Sequence, residues 1–296
     1  MHRSTLARAT LTATLAACFS SPVFAEASSR ATLSQFTVTL VDLNLNDGVA
    51  PAITFLTTGY EVADTMSGYA GNTATNTINH FAQTSATPLA PMSGASSTSM
   101  SQASASLSGG SFGTTTLTAQ GSAAGTLTPG AGYSDYGIYA DIYAPYAYLD
   151  AFSLSANTMV MFSLNLDLQA TTTVGGDAHG NEWSTAEAGL MVGGPAATGG
   201  NGYQEGYDSR YISAQADYVF NDQTGQWDMS GQQVSLNTQL GVSFANQTEA
   251  AMAGYLWGTM NVFGSSSVTA VPEPQTHVLV LGGLAMIGSV LRRRRR

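Results

Sequence analysis

Apolar and polar residues alternate along much of this chain, which is typical of β-strands that bury one face. The strictest run is 160–168, where every second residue is large and apolar. Weaker alternation, or a short apolar run of strand length, is found at 32–45, 52–57, 103–107, 115–119, 211–220, 234–244 and 253–263. A helical period of 3.6 residues is not sustained in this part. The pattern predicts an all-β body, a β-sandwich or jelly-roll-like fold, over residues 26–270.

Two local features refine this prediction. Phe36, Val38 and Leu40 share one parity, and the apolar residues from Val41 take the other, so we expect a bulge at Leu40–Val41. A turn signal at residues 46–48 then predicts that strand 32–45 forms a hairpin with strand 52–57. A second hairpin loop is expected at 221–226.

Two segments are poor in large apolar residues. Residues 84–130 are biased toward Ser, Thr, Ala and Gly, which is compatible with a disordered linker or with small-residue strands joined by loose loops. The alternation at 103–107 and 115–119 favours strands. Residues 175–206 are interpreted as a glycine-rich loop with a short apolar piece at 190–192.

The first 25 residues have the features of a secretory signal peptide. Arg3 and Arg8 precede a small apolar segment, and Val23-Phe24-Ala25 places small residues where a signal peptidase would cleave after Ala25. The alternative is that Leu15 to Cys18 is a lipobox, which would make the protein a lipoprotein with its lipid on Cys18. We favour cleavage after Ala25, because a lipid would duplicate the C-terminal anchor described next.

The last 26 residues are organised in three parts: a motif, Val271, Pro272, Glu273 and Pro274; an apolar run, 276–291; and an arginine tail, Arg292, Arg293, Arg294, Arg295 and Arg296. The prolines keep the motif extended and out of any ladder. As a helix the run would reach roughly 24 Å, slightly short of a hydrocarbon core of about 30 Å. Arginine side chains can extend it by snorkelling and favour the cytoplasmic side. This predicts one transmembrane helix with a stop-transfer tail.

This C-terminal arrangement resembles the PEP-CTERM sorting signal of Gram-negative bacteria. The resemblance covers 271–296 and rests on Pro272, Glu273 and Pro274, followed by the apolar run and the basic tail. It implies export through the Sec machinery and transient anchoring in the inner membrane. It also implies recognition by an exosortase-type transpeptidase and delivery to the cell surface or the extracellular space. It carries no information about the activity of the body.

The charge of the body excludes one class of partner. Residues 26–274 contain all 19 acidic residues but only Arg30 and Arg210 as cations, since lysine is absent from the chain. Such an acidic surface repels nucleic acid, so no nucleic-acid binding is expected. The only cysteine is Cys18, so neither lysine nor, after cleavage at Ala25, cysteine is available as a nucleophile.

Candidate catalytic and metal-binding residues are few. Gly109-Gly110-Ser111-Phe112-Gly113 matches G-x-S-x-G, but strand-forming residues follow where a nucleophile elbow requires a helix, so we interpret the match as chance. The spacing of Asp42, Asn44 and Asn46 is similar to the D-x-N-x-N-G pattern of calcium-binding loops. We nevertheless expect these side chains to face solvent along a strand. Four further residues lie within one predicted loop, and the carboxylates among them could hold Ca²⁺ through oxygen ligands: Asp177, His179, Glu182 and Glu187. No cofactor is expected.

Aromatic residues suggest a ligand for the body. Tyrosines crowd 133–148, and Trp183, Trp227 and Trp257 are spread over the second half. Most are expected in the core, but an exposed row could stack on sugars. We therefore expect a non-enzymatic surface or matrix protein, associated with biofilm and exopolysaccharide. The alternatives are a carbohydrate-binding module and a glycoside hydrolase or lyase, which would need two facing carboxylates.

Overall fold

The computed structural model describes residues 26–55, 62–125, 133–145, 151–173, 182–195, 203–215, 217–221, 223 and 226–267. Every regular element among them is a β-strand, which confirms the all-β prediction. No helix in these ranges is long and apolar enough to cross a membrane. The proposed signal peptide and the apolar run 276–291 lie outside the described residues.

The strands form two large antiparallel sheets. Sheet 1 contains, in spatial order, β15 (Gln233–Asn246), β10 (Thr158–Thr172), β1 (Glu26–Asp42), β7 (Thr116–Ala124), β6 (Ser101–Ser108) and β5 (Met92–Ser97). Sheet 2 contains β12 (Tyr203–Gln215), β11 (Glu182–Pro195), β16 (Met252–Ser266), β8 (Ser134–Pro145), β3 (Val62–Asn72) and β4 (Thr77–Ser85). Two short strands, β2 (Ile53–Phe55) and β9 (Phe152–Leu154), extend sheet 2 beside the start of β16. A separate hairpin consists of β13 (Asp217–Asn221) and β14 (Gln226–Ser230).

The two sheets pack face to face, strand opposite strand. β10 lies against β11, β1 against β16, β7 against β8 and β6 against β3. Both sheets curl, so their edges also meet. At one edge the amide of Gly241 in β15 donates a hydrogen bond to Asp208 of β12 (3.0 Å). At the other edge the side-chain amide of Asn79 in β4 donates to the carbonyl of Ser97 in β5. Both meetings shield strand edges that could otherwise pair with another chain.

The core fills the space between the sheets with alternating residues from both. β10 contributes the unbroken apolar series that the sequence indicated, and each member is buried. Tyr136 of β8 reaches across to sheet 1, where its hydroxyl bonds Ser29 Oγ (2.7 Å). Gly121 and Gly264 leave room for this side chain, since a Cβ at Gly121 would lie 2.1 Å from the Tyr136 ring and one at Gly264 would lie 2.4 Å from its hydroxyl oxygen. The aromatic side chain and the two glycines therefore form one packing unit.

The structure corrects several local predictions. The bulge in β1 is at Gln35, which has φ 54°, and not at Leu40–Val41. β2 pairs with β9, so the predicted hairpin between 32–45 and 52–57 is wrong. Residues 182–195 are a long strand, β11, in the interior of sheet 2, not part of a glycine-rich loop.

Other predictions are confirmed. Within the segment 84–130, β5, β6 and β7 are strands of sheet 1, as the favoured interpretation required. The hairpin expected around 221–226 is confirmed by the antiparallel pairing of β13 with β14, in which Asn221 lies opposite Gln226. Strands were also correctly predicted at 234–244 and 253–263, which fall within β15 and β16.

Candidate functional site

The outward side of sheet 2 carries a concentration of aromatic residues, which we call the aromatic face. Four of its tyrosines are strongly exposed: Tyr133 45%, Tyr139 50%, Tyr207 61% and Tyr211 59%. Half-buried aromatic residues from the same side of β11, β16 and β3 extend the face: Trp183, Trp257, Phe263 and Tyr69. Large exposed aromatic groups gathered on one side of a sheet indicate an interaction surface.

Strand register sets the order of groups across this face. In one cross-strand row Tyr211 lies beside Glu187, Glu187 beside Asn261, and Asn261 beside Tyr139. Neighbouring strands are about 4.8 Å apart, so the two tyrosines at the ends of the row are about 14 Å apart. The row therefore presents two aromatic side chains with a carboxylate and an amide between them.

Glycines allow the rings to lie flat on the sheet. At Gly137 an added Cβ would lie 2.5 Å from the Tyr69 ring and 3.0 Å from the Phe263 ring, so both rings cover this backbone. Tyr207 covers Gly189 in the same way, at 3.3 Å. Phe263 also packs edge-on against Tyr139, with ring centroids 4.9 Å apart. These contacts hold the rings in place, which lowers the entropy lost when a ligand binds.

Polar groups occupy the space between the aromatic residues. Asp141 accepts a hydrogen bond from the indole N–H of Trp257 (3.1 Å) and one from the hydroxyl of Thr65 (3.4 Å). Asn261, Glu187 and Thr259 lie on the same side of neighbouring strands. A flat face with rings and hydrogen-bonding groups side by side matches a ligand that has both apolar patches and hydroxyl groups.

One corner of the face is partly shielded from solvent. Burial raises the pKa of Asp135, whose carboxylate lies over Gly71. Burial also raises the pKa of Tyr69, and the nearby charge of Asp135 adds to that rise. Tyr69 is further in ring contact with His80, at 6.1 Å between centroids. Because its pKa is raised, the Tyr69 hydroxyl stays protonated near neutral pH, and it lies in the same corner as the Asp135 carboxyl group.

Glu182 and Glu187, the two candidate calcium ligands among the described residues, do not share a surface. Glu182 points between the sheets, where it accepts hydrogen bonds from the amide of Thr173 (3.0 Å) and the hydroxyl of Ser266 (3.4 Å). Glu187 points outward on the aromatic face, on the opposite side of β11. Asp177 and His179 lie outside the described residues. Among the residues that are described, no three His, Cys, Asp or Glu side chains lie close enough together to hold a metal ion.

The calcium-loop-like segment after β1 is a turn stabilised by its own side chains. Asp42 accepts from the amide of Asn44 (2.8 Å), and Asp47 accepts from the amide of Val49 (2.8 Å) and from Asn157 Nδ2 (2.7 Å). The hydrogen bond from the backbone amide of Val49, and after it the one from the side-chain amide of Asn157, lower the pKa of Asp47. The expectation of a solvated strand face is therefore wrong for Asn44 and Asn46, which lie in this turn and not in a strand.

The G-x-S-x-G match forms a tight turn between β6 and β7. Gly109, Gly110 and Gly113 all have positive φ, and Ser111 Oγ bonds Thr114 Oγ1 (2.9 Å). A strand follows, where a nucleophile elbow would require a helix. The serine therefore lacks the setting of an esterase nucleophile.

Sequence reasoning identified part of the aromatic face. An exposed subset was expected at 136–148, where Tyr139 is exposed while Tyr136 and Tyr143 are buried, and the exposed Tyr133 lies just before that range. Trp183 and Trp257 were candidates, and the side chain of Trp227 lies outside the described part. Tyr207, Tyr211 and Asn261 were missed. The sequence did indicate that they face outward, because each shares its side of the strand with polar residues.

The sequence comparisons concern the C-terminal end. Residues 270–296 match the PEP-CTERM protein-sorting motif. The match confirms the resemblance and implies an exported protein that an exosortase-type enzyme processes and that is sorted to the cell surface. Neither a curated protein nor a solved structure matches the chain.

Proposed function

We propose that this protein is a non-catalytic component of the cell-surface or extracellular matrix, and that its β body binds polysaccharide through the aromatic face. The C-terminal sorting motif supports export and surface delivery. The observation that carries the binding function is the row of Tyr211, Glu187, Asn261 and Tyr139 across four adjacent strands.

The chemistry of this row suits a sugar chain. A pyranose ring has an apolar C–H side that stacks on an aromatic ring, while its hydroxyl groups need donors and acceptors at the rim. Two tyrosines about 14 Å apart contact different sugar units of one extended chain. Glu187 and Asn261 lie between them, where hydroxyl groups of the intervening sugar would be.

The charge of the aromatic face limits which polysaccharides can bind there. Its acidic groups include Glu187, Asp141, Asp135 and Glu205. The Arg210 guanidinium of β12 forms an ion pair with Asp208. An acidic face disfavours a polyanion, because the like charges repel each other. The polysaccharide bound here is therefore neutral or carries amino sugars.

Hydrolysis of the bound sugar is not part of this proposal. A glycosidase needs two carboxylates on either side of one glycosidic bond. Asp141 and Glu187 are two strands apart and displaced by two residues along the strand, about 12 Å between their Cα atoms. Both carboxylate oxygens of Asp141 already accept hydrogen bonds from Trp257 and Thr65. The positions of these two carboxylates therefore favour sugar binding over sugar hydrolysis.

A glycan array followed by titration calorimetry tests the proposal, with the full-length chain in mild detergent. We expect a neutral or amino-sugar oligosaccharide to bind, without release of reducing ends. Tyr211→Ala and Tyr139→Ala should each weaken its affinity roughly two- to tenfold. Met161→Ala is the control, since Met161 is exposed on the opposite side of the molecule. Unchanged affinity in the Tyr211→Ala Tyr139→Ala double variant would refute this site.

A further inference from the structure

The outward side of sheet 1 differs in chemistry from the aromatic face. Serine, threonine, asparagine and glutamine make up most of it. Near the start of β1 this side is concave and forms a groove of about 970 Å³. Residues of β10, β1, β7, β6 and β5 line it, and Asn79 and His80 of β4 stand at one side. We refer to it as the polar groove.

A row of hydrogen-bond donors crosses the groove. Arg30 of β1 lies between Gln169 of β10 and Gln120 of β7, and Ser104 of β6 follows Gln120. All four line the groove. Guanidinium, amide and hydroxyl groups side by side provide many donors in a shallow, water-accessible concavity. Such a surface suits a ligand rich in oxygen acceptors.

Arg30 is the unusual member of this row. It is one of two cations between residues 26 and 274. The other, Arg210, is paired with Asp208. Arg30 is exposed and makes neither an ion pair nor a side-chain hydrogen bond within the part of the chain that is described. A guanidinium offers a planar fork of donors that fits a carboxylate.

Acidic residues set a limit on the charge of the ligand. Glu26 lines the groove beyond Ser28. Asp167 lies next to the groove on β10 and accepts a hydrogen bond from Gln169 Nε2 (3.2 Å). The body as a whole is strongly acidic. A densely charged polymer would be repelled, whereas one isolated carboxylate can reach Arg30.

We propose that the polar groove is a second, separate glycan site, and that it binds an oligosaccharide with an isolated uronic acid. The carboxylate pairs with Arg30, and neighbouring neutral sugars bond to Gln120, Gln169 and Ser104. This inference does not rest on the Tyr211–Tyr139 row, because that row lies on sheet 2, whereas Arg30, Gln120, Gln169 and Ser104 lie on sheet 1.

Matched ligands and variants test this site. The probes are a trisaccharide with one central uronic acid and its carboxyl-reduced, neutral counterpart, titrated into the full-length chain in mild detergent. We expect the acidic probe to bind at least tenfold more tightly than the neutral one. Arg30→Gln should remove roughly tenfold or more of that affinity, the effect of losing a charge-assisted hydrogen bond. Arg210→Gln removes the same charge elsewhere and should change nothing.

The result is independent of the first proposal. Tyr211→Ala should leave the affinity for the acidic trisaccharide unchanged, and Arg30→Gln should leave binding to the aromatic face unchanged. Circular dichroism confirms that each variant is folded. Equal affinity of wild type and Arg30→Gln for the acidic probe would overturn the inference. So would a wild-type chain that binds neither probe, or binds both equally, at millimolar concentration.

Discussion

Asp64 is the buried carboxyl group that holds two irregular backbone segments together. Its oxygens accept hydrogen bonds from the amides of Tyr143 (3.0 Å) and Leu89. Both donors have positive φ, 53° and 61°, which is unfavourable for residues with a side chain. Burial raises the pKa of Asp64 to about 6, against the lowering effect of these two hydrogen bonds. One carboxyl group thus positions the connection after β4 and the bend in β8.

This pKa predicts a pH-dependent stability. The folded pKa of about 6 lies above the unfolded value of 3.8, so the folded protein binds the proton more tightly. The contribution of Asp64 to stability is therefore fully present below about pH 4 and is lost as pH rises through 6. Relative to Asp64→Asn, the wild type should lose roughly 2–3 kcal/mol between pH 4 and 7.5.

Urea unfolding at both pH values measures this difference, and it remains interpretable even if the Asp64→Asn substitution lowers stability at every pH. Asp167→Asn, on the outward side of β10, controls for loss of a charge. A free-energy difference between wild type and Asp64→Asn that does not change with pH would contradict the prediction.

For individual residues, the sequence predicted some positions in the core but did not reveal the role of Asp64. Strict alternation places Val160, Phe162 and Leu164 in the core, because large side chains on one parity have nowhere else to be buried. Asp64 carried no comparable signal. Its role depends on backbone amides 25 and 79 residues away along the chain, and such contacts follow from the fold, not from local pattern.

At the scale of elements, β1 shows what alternation can and cannot locate. Phe36, Val38 and Leu40 were placed on the correct face, but the change of parity lies upstream of them, at Gln35. The inward residues before it include Ala27 and Ala31, whose small side chains give a weak hydrophobic signal. The bulge was therefore assigned to the next visible change, Leu40–Val41, although Leu43 and Leu45 are exposed in a loop.

Deletion of Gln35 should be tolerated. Without it, Leu33 and Phe36 still face inward and Ser34 and Thr37 outward, so the ladder with β10 continues without a bulge. Gln35 has a left-handed backbone conformation that is unfavourable by about 1–2 kcal/mol, and the deletion removes this strain. The deletion also removes the hydrogen bond from Asn165 Nδ2 to Gln35 (2.7 Å), which lowers stability. We expect the free energy of unfolding to change by less than about 1.5 kcal/mol, since these effects oppose each other.

Deletion of Thr32 is the matched comparison within the same strand. It would turn the inward residues on one side of the deletion toward solvent, because a one-residue shift reverses every side chain. Its cost should exceed that of the Gln35 deletion by several kcal/mol, the cost of exposing two or three buried side chains. Urea unfolding of both deletion variants measures how much each one lowers the free energy of unfolding. Equal destabilisation would show that the bulge is needed for folding.

At the scale of the whole molecule, the two sheets present opposite surfaces of different chemistry on one stable body. Composition indicated the acidic character and the absence of lysine, but not that the aromatic residues collect on sheet 2 and the hydroxyl and amide residues on sheet 1. That separation depends on strand order, in which β1 lies between β7 and β10. Local pattern does not determine strand order, because each strand could pair with several others.

Delivery of this body to the surface depends on the C-terminal motif, and two variants separate its parts. Deletion of 271–296 removes motif, apolar run and arginine tail together, so the protein should accumulate in the periplasm as a soluble form. Pro272→Ala with Pro274→Ala keeps the apolar run and the arginines but allows the segment to become helical. This variant should remain in the inner membrane, uncleaved.

Fractionation and mass spectrometry of both chain ends distinguish the two outcomes, and the N-terminal mass also shows whether Cys18 carries a lipid. Wild-type protein recovered at the surface with Arg292 to Arg296 still attached would contradict processing at the motif, because cleavage there removes everything behind it.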